Sequence, residues 1–145
     1  MQYVKDGGVL LTQYNTNNSI GLVKASISPY PFTISRNRIT DETATVNFLL
    51  PNHSALNYPN KITQKDFEGW IQERSIYNAE KTDTAFKKIL SMKDPGENEQ
   101  DGSLIIADYG KGKYVYTGLV FFRELPAGVP GAYRLFANLI ARKKE

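Results

Sequence analysis

Two apolar runs near the C-terminal end constrain this chain more than any other feature. Residues 104–109 and 114–122 are rich in Ile, Val, Tyr and Phe, and Gly110, Lys111, Gly112 and Lys113 stand between them. So short a glycine-bearing link between two β-prone runs predicts a hairpin. A hairpin with this much apolar surface needs a covering layer. The sequence supplies one immediately. Pro130 sits where a helix opens, and Ala132, Leu135, Phe136, Leu139 and Ile140 follow at helical spacing as a core stripe.

Upstream, the pattern alternates between extended and helical signals. Residues 1–8 read as the last turn of a helix closed by glycine, and 9–14 as a buried strand. A chain that opens on a helix end is expected to be a C-terminal fragment of a longer protein. Residues 15–19 are turn-forming, and the two prolines of 28–34 hold that stretch extended. Residues 43–50 and 85–92 read as strands, the second made ambiguous by its two lysines. From Thr63 the pattern turns helical. Thr63 is a good N-cap, Asp66 completes a capping box, Ile62 can staple to Phe67, and Phe67, Trp70, Ile71 and Arg74 share one face. Residues 94–102 and 125–128 read as loops. The expected fold class is α/β: one domain over 1–145, with a layered, mixed sheet and flanking helices.

Composition narrows the function. The 145 residues are 41% hydrophobic and 23% charged, as in ordinary globular domains. The net charge of +3 includes the terminal Arg142, Lys143 and Lys144, which read as a solvated helix end. No basic stripe or nucleic-acid motif is present, so nucleic acid is not an expected partner. No run approaches the length of a membrane span, and no membrane partner is expected. Without cysteine there is no disulfide, thiolate metal site or cysteine nucleophile, and the one histidine cannot supply a zinc-hydrolase ligand set. Neither a metal nor a cofactor is expected. Gly110 to Lys113 and Gly128 to Gly131 lack the phosphate-loop and dinucleotide patterns.

Several polar residues remain as site candidates. His53 lacks a plausible triad partner, because Ser54 is merely its sequence neighbour. Asp41 and Glu42 could do acid–base work, but they alternate in direction along an extended chain, and ion pairing with Arg36 and Arg38 is favoured instead. Trp70 is expected in the core. Glu68, Glu73 and Arg74 lie around the same helix, and Glu73 faces away from its neighbour Arg74. Arg123 is placed at the C-terminal end of the strongest strand, where open α/β sheets bind ligands. The competing reading is an Arg123–Glu73 pair that locks a helix to the sheet. Tyr30, Trp70 and Tyr133 are possible aromatic platforms.

Residues 7–17, 29–42, 57–63, 66–74, and 109–112 continuing through 122–139 together form a pattern that spans nearly the whole chain. It resembles the C-terminal region of bacterial PIG-L (LmbE-type) deacetylases. The resemblance implies a class I glutamine amidotransferase-like, flavodoxin-like domain, here truncated before its first strands. It also implies that zinc chemistry resides in a separate N-terminal domain with a His-Pro-Asp-Asp motif, absent here. The amidotransferase cysteine is absent too. The expectation is a non-catalytic accessory domain that supports the catalytic domain or positions a glycan, in a periplasmic or secreted parent. Its expected partners are the missing N-terminal region of the parent, a glycan and, weakly, a second copy. The alternatives are a purely structural or protein-interaction module, and a residual hydrolase in which Asp41, Glu42 or His53 converge.

Overall fold

The computed structural model describes residues 1–142, so Lys143 and Lys144 of the basic run lie outside the described residues. The fold is mixed α/β, with several small sheets and few helices. Helix α1 (Gln2–Lys5) is closed by Gly7 at φ +119°, and β1 (Val9–Gln13) follows. Short strands then alternate with irregular chain: β2 (Val23–Lys24), β3 (Thr33–Ile34), β4 (Arg38–Ile39), β5 (Asn47–Phe48), β6 (Ser75–Ile76), β7 (Ala79–Glu80), β8 (Lys87–Lys88) and β9 (Leu90–Ser91). The predicted hairpin is β10 (Leu104–Tyr109) and β11 (Gly112–Thr117), and helices α2 (Phe121–Glu124) and α3 (Pro130–Ile140) follow it.

The main sheet runs β1-β11-β10-β8. The hairpin pairs Tyr109 with Gly112 across a two-residue loop, Gly110 and Lys111, and Gly110 supplies the left-handed φ of +60°. Val9 to Gln13 run parallel to Lys113 to Thr117. β1 is therefore half-buried at a sheet edge rather than fully buried as predicted. Leu104, Ile106 and Val115 send one face of the hairpin into a core with Leu135 and Leu139 of α3. Ile105, Ala107, Tyr114 and Tyr116 send the other face against Phe32, Ile34 and Phe86. Alternation along the two strands thus builds two cores from one hairpin.

Four expectations about local structure need correction. The strand predicted to continue to residue 122 stops at Thr117. The Thr117 hydroxyl accepts the N–H of Leu119 at 3.1 Å, and Gly118 is pressed against the Ile76 carbonyl, where no side chain fits. The run 85–92 splits in two, with β8 on β10 and β9 on β5. Its ambiguous lysines point outward to Asp108 and Asp101, each at 2.8 Å. Only Asn47 and Phe48 of 43–50 pair as a strand.

The helix predicted across Phe67 to Arg74 does not form. The Thr63–Asp66 box does, with the Thr63 N–H donating to the Asp66 carboxylate at 2.8 Å. It starts only a 3-10 turn, Gln64–Phe67, and Gly69 at φ +72° and Gln72 at φ +66° take the chain out of helical space. Ile62, Phe67 and Trp70 still reach the core, while Ile71 is exposed. At the other end of the chain Ile140 is exposed, although it was placed in the stripe of α3. Arg142 is exposed and also donates to the Gly7 carbonyl at 2.6 Å.

Candidate functional site

The C-terminal end of the parallel β1–β11 pair carries the most unusual surface. β1 ends as the Tyr14 N–H donates to the Thr117 carbonyl at 3.1 Å, and Tyr14 then turns away at φ +53°. Its ring lies 4.3 Å from that of Phe122 and 5.2 Å from that of Tyr77. Phe122 is on the outer side of α2 and 42% exposed, large for a phenyl ring with neighbours. The Arg123 guanidinium sits 4.9 Å from the centre of the Phe122 ring. Of the four non-glycine residues with positive φ among the described residues, Tyr14, Gln72 and Tyr77 all belong to this face; the fourth is Lys81. Such strain costs roughly 1–3 kcal/mol per residue and gathers where the surrounding structure holds a site in place.

One carboxylate organises the charged half of the face. Glu73 is 2% exposed and pairs with Arg38 on one oxygen and with Arg123 on the other, the latter at 3.3 Å. Arg123 also donates to the side-chain oxygen of Gln72. Glu73, Arg123 and Arg38 thus do come together. Arg123 nevertheless stands on a helix, not at a strand end, because β11 finishes five residues before the predicted point. The helix-locking pair between Arg123 and Glu73 is present.

Behind the face, Glu124 is fully buried and its carboxylate accepts the Ile71 N–H at 3.0 Å. Burial pushes this carboxyl above its ordinary value, against the pull of the Ile71 N–H, Arg74 and Arg123. Arg74, 4% exposed, donates to the carbonyls of Ala44 and Phe67 at 2.9 and 2.6 Å. Burial lowers its pKa, while Asp41, Glu124 and Glu42 act to raise it.

The remaining candidates lie elsewhere. Trp70 is 4% exposed and donates its indole N–H to the Asp66 carbonyl at 2.9 Å, so it offers no platform. Tyr133 is half-exposed and bonds its hydroxyl to Leu125, while Tyr30 packs edge-on against Phe86 and Tyr109. Glu68 and Arg36 are exposed, and Arg36 makes no ion pair among the described residues. The expected pairing of Asp41 and Glu42 with Arg36 and Arg38 is not what forms. Asp41 instead accepts the Thr43 hydroxyl and N–H at 2.6 and 2.8 Å, and these bonds hold its carboxyl below the ordinary value. It lines a cleft of about 270 Å³ with Asp94 and Lys93. Glu42 is exposed.

His53 caps a 3-10 turn, its Nδ1 accepting the Ala55 N–H at 3.1 Å. Burial, then Lys87 and Lys113, hold the imidazole below its ordinary pKa. Asp41 lines the smaller cleft, whose lining includes neither Glu42 nor His53. A larger polar cleft, about 500 Å³, lies between Asn37, Asn78 and Glu80 on one side and Glu97, Glu99 and Asp101 on the other.

Asp94 anchors the loop beside the smaller cleft, accepting the Thr40 N–H, the Thr40 hydroxyl and the Asp41 N–H at 2.8, 2.7 and 2.9 Å. Burial raises its pKa, but these donors outweigh it and leave the carboxyl below its ordinary value. A lowered folded-state pKa stabilises above the unfolded value and is lost as pH falls through the folded one. Asp94→Asn should therefore cost about 2 kcal/mol at neutral pH, for lost charged hydrogen bonds. The deficit against the wild type should shrink once the pH drops below the carboxylate range. Urea titrations of both proteins at pH 7 and pH 3 check this, and a gap that is constant with pH refutes it.

Tyr14, Gln72, Tyr77 and Phe122 were not singled out from sequence. The positive φ of two tyrosines and a glutamine leaves no compositional trace. Against this geometry, no protein-family model, no curated protein and no solved structure matches the chain.

Proposed function

We propose that this is a non-catalytic accessory domain of a PIG-L/LmbE-type sugar deacetylase, and that it holds a saccharide chain against the Tyr14–Tyr77–Phe122–Arg123 face. The flavodoxin-like, amidotransferase-like ancestry is part of the same proposal. The parallel β1–β11 pair supports it, because the face lies at the C-terminal end of that pair, where open α/β sheets bind ligands. The observation that carries the reading is the exposed Phe122 ring braced by Tyr14, with Arg123, held by Gln72, over part of it. A sugar ring presents a C–H face to an aromatic ring and hydroxyls to its rim. The strained backbone holds those rings and donors in place beforehand, which lowers the ordering cost of binding.

The test is an NMR titration of the labelled domain with hexasaccharides, neutral and acidic: chitohexaose, hexagalacturonate and its methyl ester. At least one should shift Tyr14, Phe122 and Arg123 at millimolar ligand or below, and Phe122→Ala should weaken that binding about tenfold, the loss of one aromatic contact. No shift at that face from any of the three would overturn the reading. It would favour a structural module instead, with the exposed Ile20, Leu22, Val23 and Ile27 as its contact surface.

A further inference from the structure

We infer that the saccharide taken by this face is acidic, with its carboxylate received by Arg38 and Arg123; the inference rests on the saccharide reading above. The Glu73 carboxylate is inside the protein at 2% exposed, and two guanidinium groups converge on it. Asp94 also acts on Arg38 and Glu124 on Arg123, so what the cluster offers a ligand is the unused N–H edges of the two guanidinium groups, not an excess of charge. Each oxygen of Glu73 already accepts from one arginine.

The arginines are not saturated. Arg38 uses a single terminal nitrogen on Glu73, and its side chain is 49% exposed. Its Nε and its other terminal nitrogen make no side-chain bond among the described residues. Arg123 uses Nε on Glu73 and one terminal nitrogen on Gln72, which leaves its other terminal nitrogen without a bond among them, at 33% side-chain exposure. A guanidinium presents its N–H groups as a planar fork that fits a carboxylate, where an ammonium offers only a point charge. Glu73 and Gln72 fix the forks from below and leave their outer edges toward solvent. The Arg123 guanidinium also lies over the Phe122 ring, so its unbonded nitrogen neighbours the part of that ring left exposed. A sugar ring lying on Phe122 would bring a substituent at its edge to these nitrogens. The substituent that suits them is a carboxylate, as on a uronic acid. A sulfate ester offers similar oxygens from a different source.

Hexagalacturonate and its methyl ester share one backbone and differ in charge, so they isolate the anionic contribution on the unaltered protein. The acid should bind at least tenfold more tightly than the ester. Raising NaCl from 50 to 300 mM should weaken the acid and leave the ester unchanged, because partly exposed ion pairs are screened. Arg38→Gln should lower affinity for the acid about fivefold without changing the ester, and should remove the acid-induced shift of the Arg123 side chain. Arg38→Lys, which keeps the charge but loses the fork, should fall between. A sulfated carrageenan hexamer that outcompetes the uronate would overturn the carboxylate assignment. Equal affinity for acid and ester would overturn the inference and leave the saccharide reading standing. Binding of the acid that Arg38→Gln leaves untouched would also overturn it, by tracing the attraction to the overall charge of +3. Absence of binding by every ligand would overturn both.

Discussion

Gly131→Ala should destabilise the domain by about 3–4 kcal/mol, the severe end of overpacking, because the crowded neighbour is backbone. Gly131 stands in the first turn of α3, and a Cβ built on it lands on the Asp66 carbonyl and Cα. Asp66 has no room to retreat. Its carboxylate is tied to the Thr63 N–H at 2.8 Å and to Arg134 at 2.7 Å, and its carbonyl accepts the Trp70 indole at 2.9 Å. Alanine improves helix propensity by roughly 1 kcal/mol over glycine, so intrinsic preference alone predicts the opposite sign. Steric exclusion should win by a wide margin. Gly128→Ala is the control. Nothing lies within 4 Å of its added Cβ, and only the left-handed φ of +73° resists it, at about 1–2 kcal/mol. Urea unfolding of the two variants beside the wild type decides the matter. A Gly131→Ala protein no less stable than Gly128→Ala would mean that α3 does not sit as closely on the 63–67 turn as described.

Arg74→Met should cost about 4 kcal/mol. Methionine has a similar reach and suits the apolar surroundings, yet it removes every donor. The carbonyls of Ala44 and Phe67 would be left buried without a partner, at about 1–3 kcal/mol each. The cation held 5.7 Å from both the Phe67 and Trp70 rings would be lost as well. Relief of the arginine's own desolvation offsets part of this. Arg74→Lys should recover little, because one ammonium cannot span two carbonyls approached by a planar fork. Thermal or urea unfolding reads both variants. A loss under 1 kcal/mol for Arg74→Met would show that water replaces the missing donors.

The hairpin and the last helix were legible because their signals are local: alternation, a glycine turn, a proline at a helix start. The α/β class followed from them. The region between residues 15 and 103 was much less legible. Its strands are two residues long, too short for any period to show, and most pair with a segment distant in sequence, as Arg38 and Ile39 do with Ile76 and Ser75. Propensity also misled at 67–74, where Phe67, Trp70 and Arg74 fit a helical stripe. They reach one place by a different path, Arg74 pointing back to the Phe67 carbonyl through a chain turned by Gly69 and Gln72.

The candidate face was half legible. Arg123 and Glu73 were singled out as a possible pair, which forms, whereas Arg38 was expected on Asp41 and Glu42 and is gathered by Glu73 instead. The strand-end placement of Arg123 failed, because Thr117 and Gly118 end β11 early, by side-chain bonding and close backbone contact, and put Arg123 on α2. The aromatic half depends on Tyr14 and Tyr77 adopting a conformation their residue type disfavours, and only tertiary contacts impose that.

The parallel pairing of residues 9–13 with 113–117 also sets an order of events during synthesis. β1 leaves the ribosome well before β11, the strand it pairs with in the parallel pair, and about a hundred residues separate the two. Throughout that interval the edge of Val9, Leu10 and Leu11 that β11 covers in the folded protein is open. The β10–β11 hairpin, whose contacts are local, can form within microseconds of its emergence. Closing the long loop back to β1 is the slow step, since distant contacts pay their entropy before they gain anything. A nascent chain stalled before residue 113 would thus be the form of this protein most prone to aggregate.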